Sequence, residues 1–417
     1  MNAVLLLLVG ITSISIIYYL SYTYKKHYRF LNKNNITQLY YQHPDGKLNT
    51  ITKQVLKKLH LQYTSNLSDN WILYIPKNYN YVEIELAKLK PNNNQQTIYA
   101  IKGCDALCSK NQLWFNLRSY YGREKAQTII PETFNVNDEN DIIDFKNKFL
   151  NLKTHNTKNI PFILKKNLQG KKGLYLVNNP EKALRYGKLN NFKIIQKYLE
   201  NPYLINKRKV NLRLYVVIIC HLDRQEWLLF NEGKCIYSNK YFDKVKSLTD
   251  EEILDKEQHF TSYNLDTDKV YLDEKLPESL QDLKMYLGDN KYEKLMENIN
   301  KLLLLVKSAY LSRLGNLDTL KNNKCFQLFG LDFIMDENLK PYLLEFNKGP
   351  AMSIKSPKDK ELKTDLILNV FQHIFNDINN TNNTNNTNNT NNTNNTNNTN
   401  NTNNTNNEEN RYHFTFI

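Results

Sequence analysis

Two carboxylates and one amide in the last third of the chain are spaced so that they could hold a divalent cation together. Asp332 lies in one apolar segment, and Glu345 and Asn347 lie two residues apart in the next. The polar turn between the segments predicts a β-hairpin, in which Glu345 and Asn347 project from one face. Oxygen ligands of this kind suit Mg²⁺ that also contacts nucleotide phosphates. The alternative is a hairpin with solvent-facing acids, which the apolar surroundings disfavour.

A basic, glycine-containing loop between two strand-like runs is a second candidate site. Lys165 ends the first run and precedes the loop. Glycine lets the backbone approach a ligand closely and lysine supplies positive charge, so this loop could contact phosphate. An ordinary hairpin loop with solvated lysines would give the same pattern. The candidate loop residues are Gly170, Lys171, Lys172 and Gly173.

A third candidate combines a polar strand end with a charged residue inside an apolar strand. Gln196 and Lys197, at the end of one strand-like run, could present hydrogen-bonding groups to the edge of a purine. Arg213 lies in an apolar run, where a guanidinium needs an anionic partner. That partner is either a bound triphosphate or a carboxylate in a structural salt bridge.

These candidates lie in a stretch where apolar, β-rich segments alternate with amphipathic helical ones, from about residue 160 to residue 375. The alternation predicts an α+β or α/β enzyme domain. Residues 25–155 give a mixed pattern, with clearer signals for a strand at 71–75 and a helix at 141–150. Residues 379–407 are an Asn-Asn-Thr repeat that is too polar to build a core, so we predict that this tail is disordered.

The first 24 residues predict a membrane anchor. Residues 2–24 carry no charged side chain and approach the ~20 residues that cross a bilayer. The alternative is a cleaved signal peptide, which has basic residues before the apolar run and small residues at its cleavage site. Both features are weak here. Basic residues cluster directly after the run, so the positive-inside rule predicts a single-pass membrane protein whose body faces the cytosol. They are Lys25, Lys26, Arg29 and Lys33.

Charge and cysteine content narrow the class of protein. Lys+Arg number 56 against 42 Asp+Glu, a formal charge of +14, which favours polyanionic partners. Acidic polypeptide, nucleotide and anionic lipid all qualify, whereas no nucleic-acid-binding motif accompanies the charge. An odd number of cysteines, 5 in all, does not indicate a disulfide framework. Cys104 and Cys108 lack the neighbours that a structural zinc would need.

The order of these motifs resembles the tubulin tyrosine ligase family over about residues 100–375. The resemblance is carried by Gln196-Lys-Tyr-Leu-x-x-Pro, Lys209-x-x-Leu-Arg213, Phe-Gly-x-Asp332 and Leu-Leu-Glu345-x-Asn-x-x-Pro. It implies an α+β chain with an ATP-grasp fold and a smaller N-terminal α/β region. We therefore divide the chain into an anchor (1–24), an N-terminal α/β region (25–155), an ATP-grasp catalytic domain (156–378) and a low-complexity tail (379–417).

The resemblance also implies roles for individual residues. ATP would be bound by Lys165, the basic loop, Gln196 and Lys197, the backbone of Tyr198 and Leu199, then Lys209, Asn211, Arg213 and Thr261. Mg²⁺ would be bound by Asp332, Glu345 and Asn347. The residues expected to act in catalysis are Lys165, Arg213 and Glu345.

The family implies an ATP- and Mg²⁺-dependent ligase that joins an amino acid, Glu or Tyr, to an acidic protein tail such as that of tubulin, through an acylphosphate. The sequence departs from the family pattern at several positions: Lys166 replaces Pro, Asn211 replaces Asp, Ser262 replaces Asn, and Asn231 replaces an Arg that helps to hold the amino acid or the γ-phosphate. The alternative is therefore a membrane-tethered pseudoenzyme that binds ATP and an acidic protein without ligation.

Overall fold

The protein is described from a computed structural model of the chain. The structure describes residues 38–79, 82–150, 160–168, 173–221, 224–243, 256–261, 275–314, 323–387 and 414–417. The predicted anchor and three residues of the predicted phosphate loop, Gly170, Lys171 and Lys172, lie outside these ranges. Within the described ranges, no helix has both the length and the apolar character needed to span a membrane.

The described residues form a mixed α+β protein, as the sequence predicts. The strands are β1 (Leu39–Gln42), β2 (Gln62–Thr64), β3 (Trp71–Ile75), β4 (Thr97–Ile98), β5 (Thr133–Asn135), β6 (Phe162–Lys165), β7 (Leu174–Val177), β8 (Ile194–Lys197), β9 (Leu204–Ile205), β10 (Arg208–Cys220), β11 (Gln225–Phe230), β12 (Lys234–Tyr237), β13 (Cys325–Met335), β14 (Pro341–Lys348) and β15 (Phe414–Phe416). The helices are α1 (Thr50–Lys58), α2 (Val82–Lys88), α3 (Asp105–Cys108), α4 (Lys110–Ala126), α5 (Glu139–Phe149), α6 (Pro180–Leu189), α7 (Lys256–His259), α8 (Leu280–Leu287), α9 (Asp289–Leu314) and α10 (Pro357–Thr387).

The strands form two sheets. The larger sheet runs β15-β11-β10-β13-β4-β3-β1-β2, with β9 and β12 also paired to β10 and β14 paired to β13. The pairs around β10 and β13 are antiparallel, whereas β13 with β4, and the pairs that join β1 to β4, are parallel. The smaller sheet runs β5-β8-β6-β7 and is antiparallel. Strands from the N-terminal part of the chain therefore extend the sheet that carries the predicted metal ligands.

Long strand β10 shows how the core leads to the site. Its alternate side chains enter different clusters: Leu212 and Leu214 pack in the cluster that contains α8 and α9, while Tyr215 and Val217 pack in the cluster that contains α1 and α10. Side chains alternate between the two faces of a strand. Arg213 therefore continues the face of Tyr215 and Val217, at the end of the strand where the apolar packing gives way to a cavity.

The predicted hairpin is confirmed, whereas the predicted disorder of residues 379–407 is wrong for residues 379–387, which continue helix α10, and a strand follows the repeat. Strands β13 and β14 are antiparallel neighbours joined through a short turn. At the end of the chain, β15 pairs with β11, and Phe414 is buried with its ring 5.5 Å from that of Phe230. The apolar alternation of Phe414 and Phe416 resumes after the repeat, which explains why this segment docks. Residues 388–413 lie outside the described ranges.

A buried ionic network fixes α5 against α4. Asp141 is fully buried and receives hydrogen bonds from the guanidinium groups of Arg118 and Arg123. The indole of Trp114 and the backbone N–H of Asn135 also donate to it, each at 2.8 Å. Each of these donors compensates the buried carboxylate for part of its lost hydration.

Replacing Asp141 with alanine is expected to lower the free energy of unfolding by about 3–5 kcal/mol, because two arginines lose their buried partner. Urea denaturation would measure the loss. Asp144→Ala is the matched control, since Asp144 lies on the same helix, pairs with Arg123 at 2.8 Å and is 50% exposed. Its effect should stay within about 1 kcal/mol. Equal effects of the two substitutions would contradict this account of the network.

Candidate functional site

A cavity of about 670 Å³ lies between the two sheets and collects most of the predicted site residues. Strands β6 and β8 of the smaller sheet face β10, β13 and β14 of the larger one across it. The predicted residues that line it are Lys165, Gln196, Lys197, Tyr198, Leu199, Lys209, Asn211, Arg213, Thr261, Asp332, Glu345 and Asn347. Gly173 is not among them: its carbonyl accepts a hydrogen bond from the N–H of Lys166 at 2.9 Å, next to β7.

Three charged side chains form a row across neighbouring strands of the larger sheet. Arg213 on β10 is directly opposite Asp332 on β13, and Asp332 is directly opposite Glu345 on β14. Opposed residues of antiparallel strands share a face, so all three point into the cavity. Arg213 donates two hydrogen bonds to Asp332. Nε donates to Oδ1 at 2.5 Å, and Nη2 donates to Oδ2 at 2.9 Å. The anionic partner of Arg213 within the protein is therefore a predicted metal ligand.

A β-bulge directs Glu345 into the site. The register shifts by one residue between Asp332 and Phe333, so that β14 carries Leu344 as an extra residue. Leu344 and Glu345 consequently both line the cavity, although they are sequence neighbours. A bulge changes the direction of a side chain in this way, and it leaves one residue of the strand unpaired in the ladder.

Gly330 lies between Arg213 and the chain that leaves β14. A Cβ at position 330 would lie 3.4 Å from Cδ of Arg213 and 3.0 Å from Cβ of Pro350. The distance to Pro350 is shorter than most real Cβ contacts, so a side chain at position 330 would require Pro350 to shift, whereas the distance to Arg213 is an ordinary van der Waals contact. Gly330 is also directly opposite Asn347 in the ladder, which places it beneath the predicted ligands.

Lys110 is a functional candidate that the sequence reasoning missed. Its Nζ lies 3.0 Å from Oε2 of Glu345, and its side chain is only 8% exposed. Asn347 donates from Nδ2 to the other oxygen of Glu345 at 3.1 Å, so its own Oδ1 is the amide atom that a cation would take. Lys110 opens helix α4, where a positive charge is unfavourable to the helix dipole. That unfavourable placement was the local signal that Lys110 has another partner.

The two carboxylates influence each other's protonation. Burial raises the pKa of Asp332, and the nearby charge of Glu345 raises it further against the opposing effect of Arg213. Burial alone would also raise the pKa of Glu345, but the positive charges of Lys110 and Lys165 outweigh it and lower that pKa. Two adjacent carboxylates of this kind repel each other, and a divalent cation between them would relieve the repulsion.

The residues present fit a hydrated Mg²⁺ that also contacts a nucleotide. In the described ranges, no group of three or more His, Cys, Asp or Glu side chains could hold a metal, so a cation here would need an amide oxygen and ligand oxygens besides the two carboxylates. Mg²⁺ commonly binds in this manner. Asn211 adds a second observation: its Oδ1 is buried beside the cavity and, among the described residues, has no hydrogen-bond partner. A ligand hydroxyl or a metal-bound water would satisfy it.

Two buried lysines, Lys165 on β6 of the smaller sheet and Lys209 on β10 of the larger one, add positive charge to the cavity. Nζ of Lys209 donates to the hydroxyl of Tyr198 at 3.2 Å and to the carbonyl of His259 at 3.0 Å. Burial lowers the pKa of Lys209 to about 7, with a further contribution from Lys165. Burial likewise lowers the pKa of Lys165 to about 8. With Lys110 and Arg213 these lysines exceed the two carboxylates in charge, so the cavity favours a polyanion such as a triphosphate.

Two groups predicted to meet a purine already have partners in the protein. Nε2 of Gln196 donates to Oγ1 of Thr133 at 2.8 Å, and the backbone N–H of Tyr198 donates to the carbonyl of Pro161 at 3.0 Å. These bonds tie β8 to its neighbours. A base in the cavity would therefore have to bind other atoms of this segment. The sequence pattern alone does not indicate which atoms these are.

A sequence model of the tubulin-tyrosine ligase family matches residues 87–386. The chain belongs to this family. The match includes both sheets' cavity-lining strands and begins after β3. It ends within α10, so β15 lies beyond it.

Curated relatives carry names from the same family. The chain is 27% identical over 267 residues to a protein of Tetrahymena thermophila named as a probable alpha-tubulin polyglutamylase, with 60% of each chain covered. It is 32% identical over 180 residues to a probable tubulin polyglutamylase of Mus musculus, covering 42% of this chain and 36% of that one. It is 30% identical over 189 residues to a tubulin monoglutamylase of Mus musculus, covering 42% of this chain and 15% of that one. The matched parts thus span less than two thirds of these relatives.

Asn231, where the family resemblance predicts an arginine at the site, lies away from the cavity. It is exposed, and its Oδ1 accepts a hydrogen bond from Oγ1 of Thr415 at 2.6 Å. Asn231 directly follows β11 and is absent from the cavity lining.

Between about pH 7 and pH 9 the unliganded protein should become more stable while its affinity for ATP falls. Lys209 and Lys165, with pKa values of about 7 and about 8 against an ordinary 10.5, bind fewer protons in the folded state than in the unfolded state. The cost of burying their ammonium groups is therefore complete below about pH 7 and is relieved as the pH rises. Neutral lysines attract phosphate less strongly. Thermal unfolding and calorimetry across this range measure the two trends.

Lys209→Met should flatten much of both trends, because it removes the group with the lower pKa. Lys188→Met is the matched control, since Lys188 lies at the exposed end of α6. Parallel rather than opposite pH trends for stability and affinity would refute the assignment of these lysines to the nucleotide.

Proposed function

We propose that this chain is an ATP- and Mg²⁺-dependent carboxylate–amine ligase that joins an amino acid, Glu or Tyr, to an acidic protein such as tubulin. The observation that carries the proposal is the row of Arg213, Asp332 and Glu345 across three strands, which lines a cavity of about 670 Å³ together with two buried lysines. Membership of the family and relatives named as tubulin glutamylases support the same reaction class.

The arrangement of the two sheets supports an ATP-grasp fold. In such a fold, nucleotide would lie between the sheets, with its phosphates directed to the hairpin that carries the metal ligands. The cavity lies in that position, between β6 and β8 on one side and β13 and β14 on the other. We also propose that the chain divides into an N-terminal α/β region (25–155), a catalytic domain (156–378) and a tail (379–417).

The reaction would proceed in two steps that conserve atoms and charge. A carboxylate of the substrate attacks the γ-phosphorus of ATP, which forms an acylphosphate and releases ADP. The amine of the second substrate then attacks the acyl carbon, so that an amide forms and inorganic phosphate leaves. Bound Mg²⁺ would supply positive charge against the phosphate oxygens during the first step.

The protein's own groups would position the reactants and stabilise charge. Asp332, Glu345 and Asn347 would hold the cation, and the bidentate contact from Arg213 keeps Asp332 in one orientation. Lys165 on the smaller sheet and Lys209 on the same strand as Arg213 are both buried and would hold the polyphosphate. Such preorganised charges stabilise a transferring phosphoryl group without needing an acid or base of matched pKa.

Substrate assignment rests on one direct experiment. The purified chain would be incubated with ATP, Mg²⁺ and tubulin, and with radiolabelled Glu, Tyr or Gly in separate reactions. We expect ATP-dependent incorporation of Glu or Tyr into tubulin, and loss of incorporation when tubulin's acidic tails are removed by protease. Binding of ATP without incorporation of any amino acid would instead favour the pseudoenzyme.

The location of the protein is part of the same proposal. We propose that residues 2–24 anchor the chain in a membrane and that the catalytic part faces the cytosol, because the basic residues follow the apolar run. Fractionation of cells that express the full chain tests this. The full chain should sediment with membranes and resist extraction by alkaline carbonate, and deletion of 2–24 should release it.

A further inference from the structure

The turn that follows the predicted metal-ligand strand leaves no room for a side chain at Gly349. This residue has a φ of +63°, and a Cβ built on it would lie 2.4 Å from Cδ2 and 2.5 Å from Cε2 of Tyr79. Ring and backbone are therefore in direct contact. Gly349 comes two residues after Asn347 and itself lines the cavity, so the contact lies next to the site.

Tyr79 comes from the loop after β3, ahead of the residues that the family match covers. Its ring meets that of Tyr99 edge-on at 6.3 Å between centroids, and Tyr99 stacks on Phe326 of β13 at 4.6 Å. Aromatic contacts of this geometry restrict the ring to one place. Through Tyr99, Tyr79 therefore packs against β13. It also contacts Gly349, the residue that follows the neighbouring strand β14.

A second contact ties the same loop to the same strand. Nζ of Lys348 donates to the carbonyl of Tyr79 at 3.5 Å and lies 2.6 Å from the carboxylate of Asp105 at the start of α3. The chain that leaves β14 is consequently held at two successive residues, Lys348 and Gly349. An opening of this exit would carry Asn347 away from Glu345, to which its amide donates at 3.1 Å.

We propose that Tyr79 is a positioning residue for the cation site: its ring fixes the path of the chain at Gly349 and thereby the position of Asn347 relative to Glu345. The inference rests on the proposed function, because it takes Glu345 and Asn347 as ligands of Mg²⁺. It extends the functional unit to a segment that the family match does not include. Groups that orient a metal ligand typically change metal affinity about ten- to hundredfold when they are removed.

The test measures ATP binding by calorimetry at a series of Mg²⁺ concentrations. Tyr79→Ala should raise the Mg²⁺ concentration needed for half-maximal ATP binding by about tenfold, with binding in the presence of EDTA unchanged. Tyr79→Phe, which keeps the ring, should restore the wild-type midpoint. Tyr79→Leu, which keeps apolar volume without the flat ring, provides the same comparison if Tyr79→Ala does not fold.

A double substitution tests whether the contact itself is responsible. Gly349→Ala should impair Mg²⁺-linked binding more than Tyr79→Ala does, because it adds a clash to an unfavourable φ. The combination of Tyr79→Ala with Gly349→Ala should be less impaired than the sum of the single effects, since the clash is gone. Tyr63→Ala, at an exposed position on β2, is the control and should leave the Mg²⁺ midpoint unchanged.

The outcomes separate this inference from the proposed function. If Tyr79→Ala lowers the melting temperature but leaves the Mg²⁺ midpoint at the wild-type value, Tyr79 only packs and the inference is wrong. If Glu345→Gln also leaves Mg²⁺-linked binding intact, it is the proposed cation site that fails. Additive effects of the two substitutions would place the action of Tyr79 somewhere other than Gly349.

Discussion

Glu345→Gln is expected to lower ATP-dependent amino-acid incorporation about a thousandfold or more. The substitution keeps size and shape but removes one of the two carboxylate charges of the predicted cation site. It also leaves Lys110, whose Nζ lies 3.0 Å from Glu345, without its anionic partner. The fold should persist, because Glu345 lines a cavity rather than the core. Incorporation of labelled amino acid and calorimetry of Mg²⁺-linked ATP binding measure the two effects.

Glu337→Gln is the matched control for this substitution. Glu337 lies in the turn of the same hairpin and is exposed, and its carboxylate accepts a long hydrogen bond of 3.5 Å from Nδ2 of Asn201. Activity should remain within about twofold of wild type, as for most exposed positions. Activity of Glu345→Gln comparable to that of Glu337→Gln would remove Glu345 from the cation site and, with it, the main support for a ligase.

Arg213→Lys is expected to lower activity about a hundredfold, although it conserves charge. A lysine cannot reproduce the two hydrogen bonds that Arg213 makes to Asp332, at 2.5 Å and 2.9 Å. Arg213→Met should be worse and should also change the pH dependence. The positive charge of Arg213 lowers the pKa of Asp332 against the effect of burial, so its removal lets that pKa rise further.

The sign of the pH effect follows from the need for an ionised Asp332. With a higher pKa, the carboxylate becomes ionised only at higher pH, so the acid limb of the pH–rate profile of Arg213→Met should move to higher pH. Steady-state rates between about pH 5 and pH 9 would locate that limb. Arg185→Lys, at an exposed position on α6, serves as the control. An unmoved acid limb would mean that Asp332 does not need to be ionised for catalysis.

Local sequence patterns were sufficient to place the hairpin and its ligands. The apolar runs around Asp332 and Glu345 predicted two strands, and the two-residue spacing of Glu345 and Asn347 predicted a shared face; both features are present. The same reasoning located Arg213 as a charge in an apolar strand. The partner of Arg213 could not be predicted, because a carboxylate and a bound phosphate can both pair with a guanidinium and the sequence does not distinguish between them.

Contacts between distant segments could not be predicted in this way. Lys110 reaches Glu345 across 235 positions of sequence, and no periodicity connects them. The bulge at Leu344 was also invisible, because an extra residue in one strand is defined only against its partner strand. The occupied donors of Gln196 and Tyr198 depend on β5 and on the chain before β6. Individual roles in ATP and Mg²⁺ binding stay predictions for the experiments above.

Because the short strand β15 follows it, the Asn-Asn-Thr tract is a connecting segment rather than a free C-terminal tail. Residues 379–387 of the tract belong to α10, and Phe414, beyond the tract, lies beside Phe230, so the rest of the tract connects two segments of the folded protein. If it is disordered, as its composition predicts, each doubling of its length would cost only about 0.6 kcal/mol of closure entropy. Triplets could be gained or lost in the gene with little effect on the folded protein, whereas a frameshift within the tract would remove the strand that pairs with the edge of β11.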